Sequence, residues 1–179
     1  MRRLLARTLA CALALAASPA LATLPVGAKA PAFTAKGAVA GHAVTVRLAD
    51  ALRRGPVVLY FFPAAFTGGC NAEAHAFAEA TDDFRRAGAT VIGMTAGNVD
   101  QLERFSSEKC AGKFAVAAAT PAIVSGYDVT LKKPDGSATG YTSRTSYVIG
   151  RDGRIRFVHS DMNPAEHVAL TLAAVRQQR

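Results

Sequence analysis

The residue best placed to do chemistry in this chain is Cys70. It closes the stretch Pro63-Ala64-Ala65-Phe66-Thr67-Gly68-Gly69-Cys70, which follows the apolar run Val57-Val58-Leu59-Tyr60-Phe61-Phe62. The pattern predicts a buried strand that stops at a proline, turns, and delivers Thr67 and Cys70 to the first turn of a helix. Backbone N–H groups there lack intrahelical acceptors and the helix dipole favours negative charge, so a cysteine in that turn can become a reactive thiolate. Redox chemistry at Cys70 is therefore the first expectation. Each neighbour taken singly has an ordinary reading: Pro63 ends a strand, Thr67 caps a helix, and Glu73 is a favourable first-turn acid.

The elements that must position these residues are legible in outline. Residues 23–41, rich in Ala, Pro and Gly, are expected to run over the surface. Residues 43–48 alternate and read as a strand, 50–54 as a turn of helix ended by Gly55-Pro56, and 57–62 as a central strand covered on both faces. A helix follows over 70–87, with Phe77 and Phe84 on one face and Gly88 just past its end. A second buried strand spans 89–95. Asn98, with Gln101 three residues on, predicts a capped helix that carries Cys110 near its end and closes at Gly112. Residues 114–118 read as a strand, followed by a small helix to about Tyr127. A hairpin joins 146–149 to 154–158 across Gly150-Arg151-Asp152-Gly153. Asn163-Pro164 opens a last helix with Val168, Leu172 and Val175 on its core face. Strands alternating with helices predict one α/β layered domain around a mixed central sheet.

The ends and the composition bound the compartment and the partners. Residues 1–22 read as a cleavable export signal: a basic start, a short apolar stretch, and Ala20-Leu21-Ala22 as the cleavage site. The mature domain would span 23–179 and lie in the periplasm or outside the cell, with no stable membrane association once cleaved. The leader holds three arginines and no acids, so its loss lowers the formal charge from +8 to +5. The remaining cations are scattered and lack aromatic interleaving, which argues against nucleic-acid binding. Cys11 leaves with the leader, and Cys70 and Cys110 remain. Two cysteines in an exported chain equally fit a structural disulfide.

Pro63-x-x-x-Thr67-x-x-Cys70 followed by Glu73 resembles the active-site signature of the peroxiredoxins, and residues 60–74 most resemble the bacterioferritin-comigratory-protein, or peroxiredoxin Q, branch. The likeness recurs in Val91-Ile92-Gly93-Met94-Thr95, in Lys113-Phe114-Ala115-Val116-Ala117 and in Ser143-Arg144-Thr145-Ser146-Tyr147-Val148-Ile149. It implies a thioredoxin-like fold, a thiol peroxidase acting on hydrogen peroxide and organic hydroperoxides, and a thioredoxin- or glutaredoxin-like reductant. It implies no metal, flavin or haem, and a monomer or weak dimer. Cys70 becomes the peroxidatic nucleophile. Arg144, otherwise an ordinary surface arginine, would favour its thiolate and hold the peroxide oxygens, since a guanidinium presents a fork of donors. Thr67 would hydrogen-bond the thiolate or the bound peroxide, and Pro63 would shield the pocket. Glu73 would orient the active-site groups.

Attack on peroxide leaves a sulfenic acid that must be reduced before it over-oxidises. Many members of this branch carry a resolving cysteine five residues further along the same helix, where this chain has His75. Cys110 is the remaining candidate, and some relatives resolve from its helix. A disulfide needs Cα atoms within about 7 Å, so the helix ends at Cys70 and Cys110 would have to unwind. An inert Cys110 with resolution by an external thiol stays open. So does a copper-binding reading in which Cys70, His75 and His159 supply ligands, although a second nearby cysteine is missing. His42 and His167 fit no ligand spacing.

Overall fold

The computed structural model describes residues 23–178; the expected leader, residues 1–22, lies outside them. Its strands are β1 (Thr34–Val39), β2 (His42–Arg47), β3 (Val57–Phe61), β4 (Thr90–Thr95), β5 (Ala115–Ala118), β6 (Thr130–Lys132), β7 (Ala138–Thr142), β8 (Thr145–Ile149) and β9 (Ile155–Ser160). Its helices are α1 (Leu48–Arg54), α2 (Gly68–Arg86), α3 (Leu102–Glu108, entered through a 3-10 turn at Val99–Gln101), α4 (Pro121–Gly126) and α5 (His167–Arg176). Seven strands form one sheet in the order β2-β1-β5-β4-β3-β8-β9, and β6 pairs with β7 alone. β3, β4 and β5 run parallel, while β8 is antiparallel to β3. This is the mixed α/β sheet flanked by helices that the sequence predicts.

β3 is apolar throughout because it feeds two cores. Val58, Tyr60 and Phe62 face α2, α3 and α5, where they meet Phe77, Phe84, Phe105 and Val175. Val57, Leu59 and Phe61 face α1 and α4, where they meet Leu48, Ala51 and Ile123. Side chains alternate across a strand, so a run of apolar residues is what a strand covered on both sides requires. The C-terminal ends of β3 and β4 thus emerge at one edge of a rigid slab, where the loop from Pro63 begins.

Several boundaries differ from expectation, each for a physical reason. Residues 34–39 do not run loosely over the surface but form β1, paired along its whole length with β2. Gly37 lets β1 approach β5: a Cβ there would lie 2.3 Å from the Val116 carbonyl oxygen. Asn98 stands at the N-cap position of the 3-10 turn that enters α3, but its side chain does not cap it. Its backbone is left-handed, at φ 53°, and its side-chain amide donates to the Ala65 carbonyl at 2.8 Å. The helix starts later, as α3, so Cys110 lies just beyond its end, and the Gly112 N–H closes the turn onto Ser106 at 2.9 Å. The last helix begins at His167, because Asn163 spends its side chain on a local turn to the Ala165 N–H.

One close approach in the sheet bears on the site. Gly93 of β4 is in register with Tyr60 of β3, and a Cβ at 93 would come within 2.9 Å of the Tyr60 ring and hydroxyl. Tyr60 uses that space to stack on Phe77 at 4.3 Å and Phe62 at 5.5 Å. Gly93→Ala is therefore expected to destabilise the fold by about 1–3 kcal/mol through overpacking. Urea midpoints measure this, and a midpoint equal to or above wild type would show that the ring has room to spare.

Candidate active site

At the end of β3 the ladder stops because proline has no N–H to donate. Phe62 still pairs with Met94, and the chain then turns through Pro63 to Phe66. Three hydrogen bonds and two contacts of the Phe66 ring fix this loop. Thr95 Oγ1 donates to the Pro63 carbonyl at 2.9 Å, Ala65 N–H to Gly97 at 3.3 Å, and Asn98 to Ala65. Phe66, held in the left-handed region at φ 64°, packs edge-on against Phe105, and the Arg104 guanidinium lies 4.2 Å from its ring centroid. The loop is thus clamped to β4 and α3 before α2 starts.

Thr67 occupies the N-cap position of α2, yet its side chain caps nothing; its hydroxyl donates to the Ala64 carbonyl at 3.1 Å. The first turn of α2 accordingly opens on exposed Thr67, Gly68 and Gly69 and then buries Cys70, which is 1% exposed. Glu73 follows one turn later on the same face, as residues three apart on a helix must.

Arg144 precedes β8 and enters between them. It is only 4% exposed, and all three of its guanidinium nitrogens are engaged. One terminal nitrogen contacts Cys70 Sγ at 3.6 Å, the other donates to Glu73 Oε2, and Nε donates to the Met162 carbonyl at 2.9 Å. Gly69 permits this approach, since a Cβ there would sit 3.1 Å from the guanidinium. Burial raises the Glu73 carboxyl to about 7, against the opposing pull of Arg144. The arrangement places a fixed cation beside a thiol, which is what a thiolate and a developing oxyanion both need.

Of the residues singled out from sequence, the structure brings Cys70, Arg144 and Glu73 into contact and sets Pro63 and Thr67 in the loop that leads to them. Cys110 is a free, fully buried thiol in the same apolar cluster as Cys70, and burial pushes its titration far above the ordinary thiol range. His75 points away from this cluster, exposed and 3.3 Å from Glu79 on the next turn. Among the described residues no three His, Cys, Asp or Glu side chains form a metal-binding group. The copper reading thus gains no support from the placement of His75.

Two residues escaped the sequence reading. Tyr60 is wholly buried and its hydroxyl has no hydrogen-bond partner; burial pushes its titration well above the ordinary tyrosine range. A tyrosine inside an otherwise apolar strand was the available signal. His167, also fully buried, has Nδ1 at 2.8 Å from Ser146 Oγ and 3.7 Å from Glu73 Oε1, and Nε2 at 2.9 Å from the Asp161 carbonyl. Burial lowers its titration to about 4. Its position one turn before Thr171 on the inward side of α5 was the cue.

Glu73 and His167 pull stability in opposite directions with pH. Between about 4 and 6.5 the unfolded chain protonates His167 and the native state does not, so this group's stability is complete above 6.5 and is lost as pH falls. Between about 4.5 and 7 the native state protonates Glu73 and the unfolded chain does not, so its contribution is complete below 4.5 and is lost as pH rises. Glu73→Gln removes the second effect. Relative to wild type, it is expected to lose stability as pH drops from 6.5 to 4.5, by up to about 1.4 kcal/mol per pH unit. Parallel urea midpoints for the two proteins across that range would contradict it.

The comparisons with known proteins agree with this geometry. Residues 26–158 match the family described as AhpC/TSA. Over 155 residues the chain is 27% identical to peroxiredoxin Bcp of Bacillus subtilis, covering 86% of this chain and 96% of that one. It is 28% identical over 153 residues to the chloroplastic peroxiredoxin Q of Suaeda salsa, covering 85% and 68%. The crystal structure of peroxidoxin BcpB from Mycobacterium tuberculosis superposes with a TM-score of 0.75 at 26% identity, covering 86% and 97%. With a buried cysteine at the head of α2 and an arginine trained on it, the chain belongs to the AhpC/TSA family and is a peroxiredoxin, a thiol-dependent peroxidase of thioredoxin-like fold.

Proposed function

We propose that Cys70 reduces hydrogen peroxide and organic hydroperoxides and is recycled through Cys110 and a thioredoxin- or glutaredoxin-like protein. The observation that carries this reading is the 3.6 Å contact from Arg144 to Cys70 Sγ, with Glu73 holding the guanidinium in place. The Cys70 thiolate attacks one peroxide oxygen, the O–O bond breaks, and the departing alkoxide or hydroxide takes a proton to leave as alcohol or water. Cys70 is then a sulfenic acid. Arg144 stabilises the charge that passes from sulfur to the departing oxygen, and Pro63 and Thr67 shape the loop over which peroxide enters.

Cys110 would attack the Cys70 sulfenic acid, expelling water and forming a disulfide that two electrons from the reductant return to two thiols. Burial disfavours its thiolate, so this step requires the segment after α3 to open. α3 has only seven residues, so few hydrogen bonds need to break before that segment opens. The export signal read at residues 1–22 supports a periplasmic or secreted location; expression in a bacterium and intact mass should then give a mature chain that begins at Thr23.

Two experiments test the chemistry. One equivalent of hydrogen peroxide added to the reduced protein should remove two hydrogens by intact mass, mapped by peptides to a Cys70–Cys110 link. A stable gain of one oxygen at Cys70 would instead make Cys110 a bystander, and no rapid change at either thiol would overturn the reading of Cys70. Arg144→Lys, which keeps the charge but loses the fork, should slow peroxide reduction about 100-fold. A rate near wild type would remove Arg144 from the chemistry.

A further inference from the structure

The buried polar groups behind Arg144 converge on one side chain that the chemistry above does not use. The Asp161 carbonyl can only accept, so the His167 Nε2 at 2.9 Å carries the proton, and Nδ1 accepts from the Ser146 hydroxyl. A neutral imidazole satisfies both bonds at once. Those two partners bracket Arg144. Ser146 stands two residues after it, at the start of β8. Asp161 donates its N–H to the Arg144 carbonyl at 3.2 Å, and the next residue, Met162, supplies the carbonyl that receives Arg144 Nε. One imidazole on α5 therefore ties down the strand that carries the arginine and the peptide that steers its side chain.

The remaining groups facing His167 fit the same role. Glu73 Oε1, on α2, is buried without a hydrogen-bond partner, 3.7 Å from Nδ1. A neutral Nδ1 already engaged by Ser146 offers that oxygen no donor, so the carboxylate is bound only through Oε2 to Arg144. The His159 ring of β9 packs edge-on at 4.6 Å, and Arg144 and Asp161 complete the charged surroundings. A protonated His167 has no lone pair left on Nδ1 to accept from Ser146, so protonation breaks the bond that ties α5 to β8.

We infer that His167 is a positioning residue for the peroxide-reducing site: as a neutral imidazole it fixes Ser146 and the 161–162 peptide, and through them keeps Arg144 aimed at Cys70 Sγ. This rests on Cys70 being the peroxidatic thiol, so the test separates the two. The second-order rate of Cys70 oxidation by hydrogen peroxide, and of Cys70 alkylation by iodoacetamide, are measured from pH 4 to 8 in wild type, His167→Leu and His167→Gln. A wild type inert to peroxide would overturn the peroxidase reading and this inference with it.

With wild type active, His167→Leu should lose roughly 10- to 100-fold in both rates at pH 7, as a misaimed catalytic group does. His167→Gln should stay within about threefold, because a terminal amide presents an acceptor and a donor side by side as the neutral ring does. It should also lack the extra decline expected of wild type below pH 5, where protonation of His167 breaks its bond from Ser146. In a Glu73→Gln background the His167→Leu loss should largely vanish, since both act through Arg144. Wild-type rates in a folded His167→Leu protein, or fully additive losses in the double variant, would refute the role. If His167→Leu fails to fold, the comparison of wild type with His167→Gln below pH 5 decides the matter, identical profiles refuting it.

Discussion

A guanidinium with 4% of its surface exposed cannot be left unpaired, and most of this active site follows from that requirement. Arg144 needs a carboxylate, a carbonyl and something soft or negative around its plane, and Glu73, Met162 and Cys70 supply them. The desolvation of both charges makes such a pair a poor source of stability, but breaking it by removing one partner costs about 3–5 kcal/mol. Its value is geometric. Glu73 lies three residues after Cys70, so the same helix that presents the thiol presents the counter-ion that sets the arginine's angle. Gly69, without a side chain, leaves the opening through which the guanidinium reaches sulfur.

The same requirement explains why the scaffold is so apolar elsewhere. β3 buries every residue, and its two faces bind α2, α3 and α5 on one side and α1 and α4 on the other. Such a slab holds the start of α2 and the start of β8 at a fixed separation, since β3 and β8 are adjacent and in register from Val57–Ile149 to Phe61–Thr145. Cys70 follows from the end of β3, and Arg144 comes immediately before β8. The ion pair is thus closed across neighbouring strands, where the sheet tolerates least movement.

Residues with a strong local signature were legible in the sequence. The apolar run at 57–62, the helix with Phe77 and Phe84, and the hairpin across 150–153 all stand where periodicity and turn chemistry put them. β1 was hidden because Ala and Gly carry little strand preference, and only its pairing with β2 and Gly37's fit against β5 make it a strand. Asn98 was misread because a side-chain amide serves a turn as well as a helix cap, and here the acceptor, Ala65, lies thirty-three residues away in sequence. Cys70, Glu73 and Arg144 were visible through their spacing and resemblance. Tyr60 and His167 were not, since their significance lies in which distant polar atoms surround them, which no local pattern encodes.

The two thiols lie in one apolar cluster, and the reduced state that holds them there has unequal strengths on its two sides. On the arginine side all three guanidinium nitrogens of Arg144 are engaged, and the frame rests on a paired sheet. On the other side, the loop before α2 is tied to the end of α3 mainly by Phe66 packed on Phe105 and covered by Arg104. Phe66 is half-buried and strained, and Thr67 to Gly69 are already in solvent. An aromatic edge contact contributes about 0.5–1.5 kcal/mol, far less than a buried ion pair costs to break. Any opening that lets Cys70 and Cys110 move therefore starts at Phe66 and the ends of α2 and α3, and leaves Arg144, Glu73 and the sheet behind them in place to receive the thiol when the loop closes again.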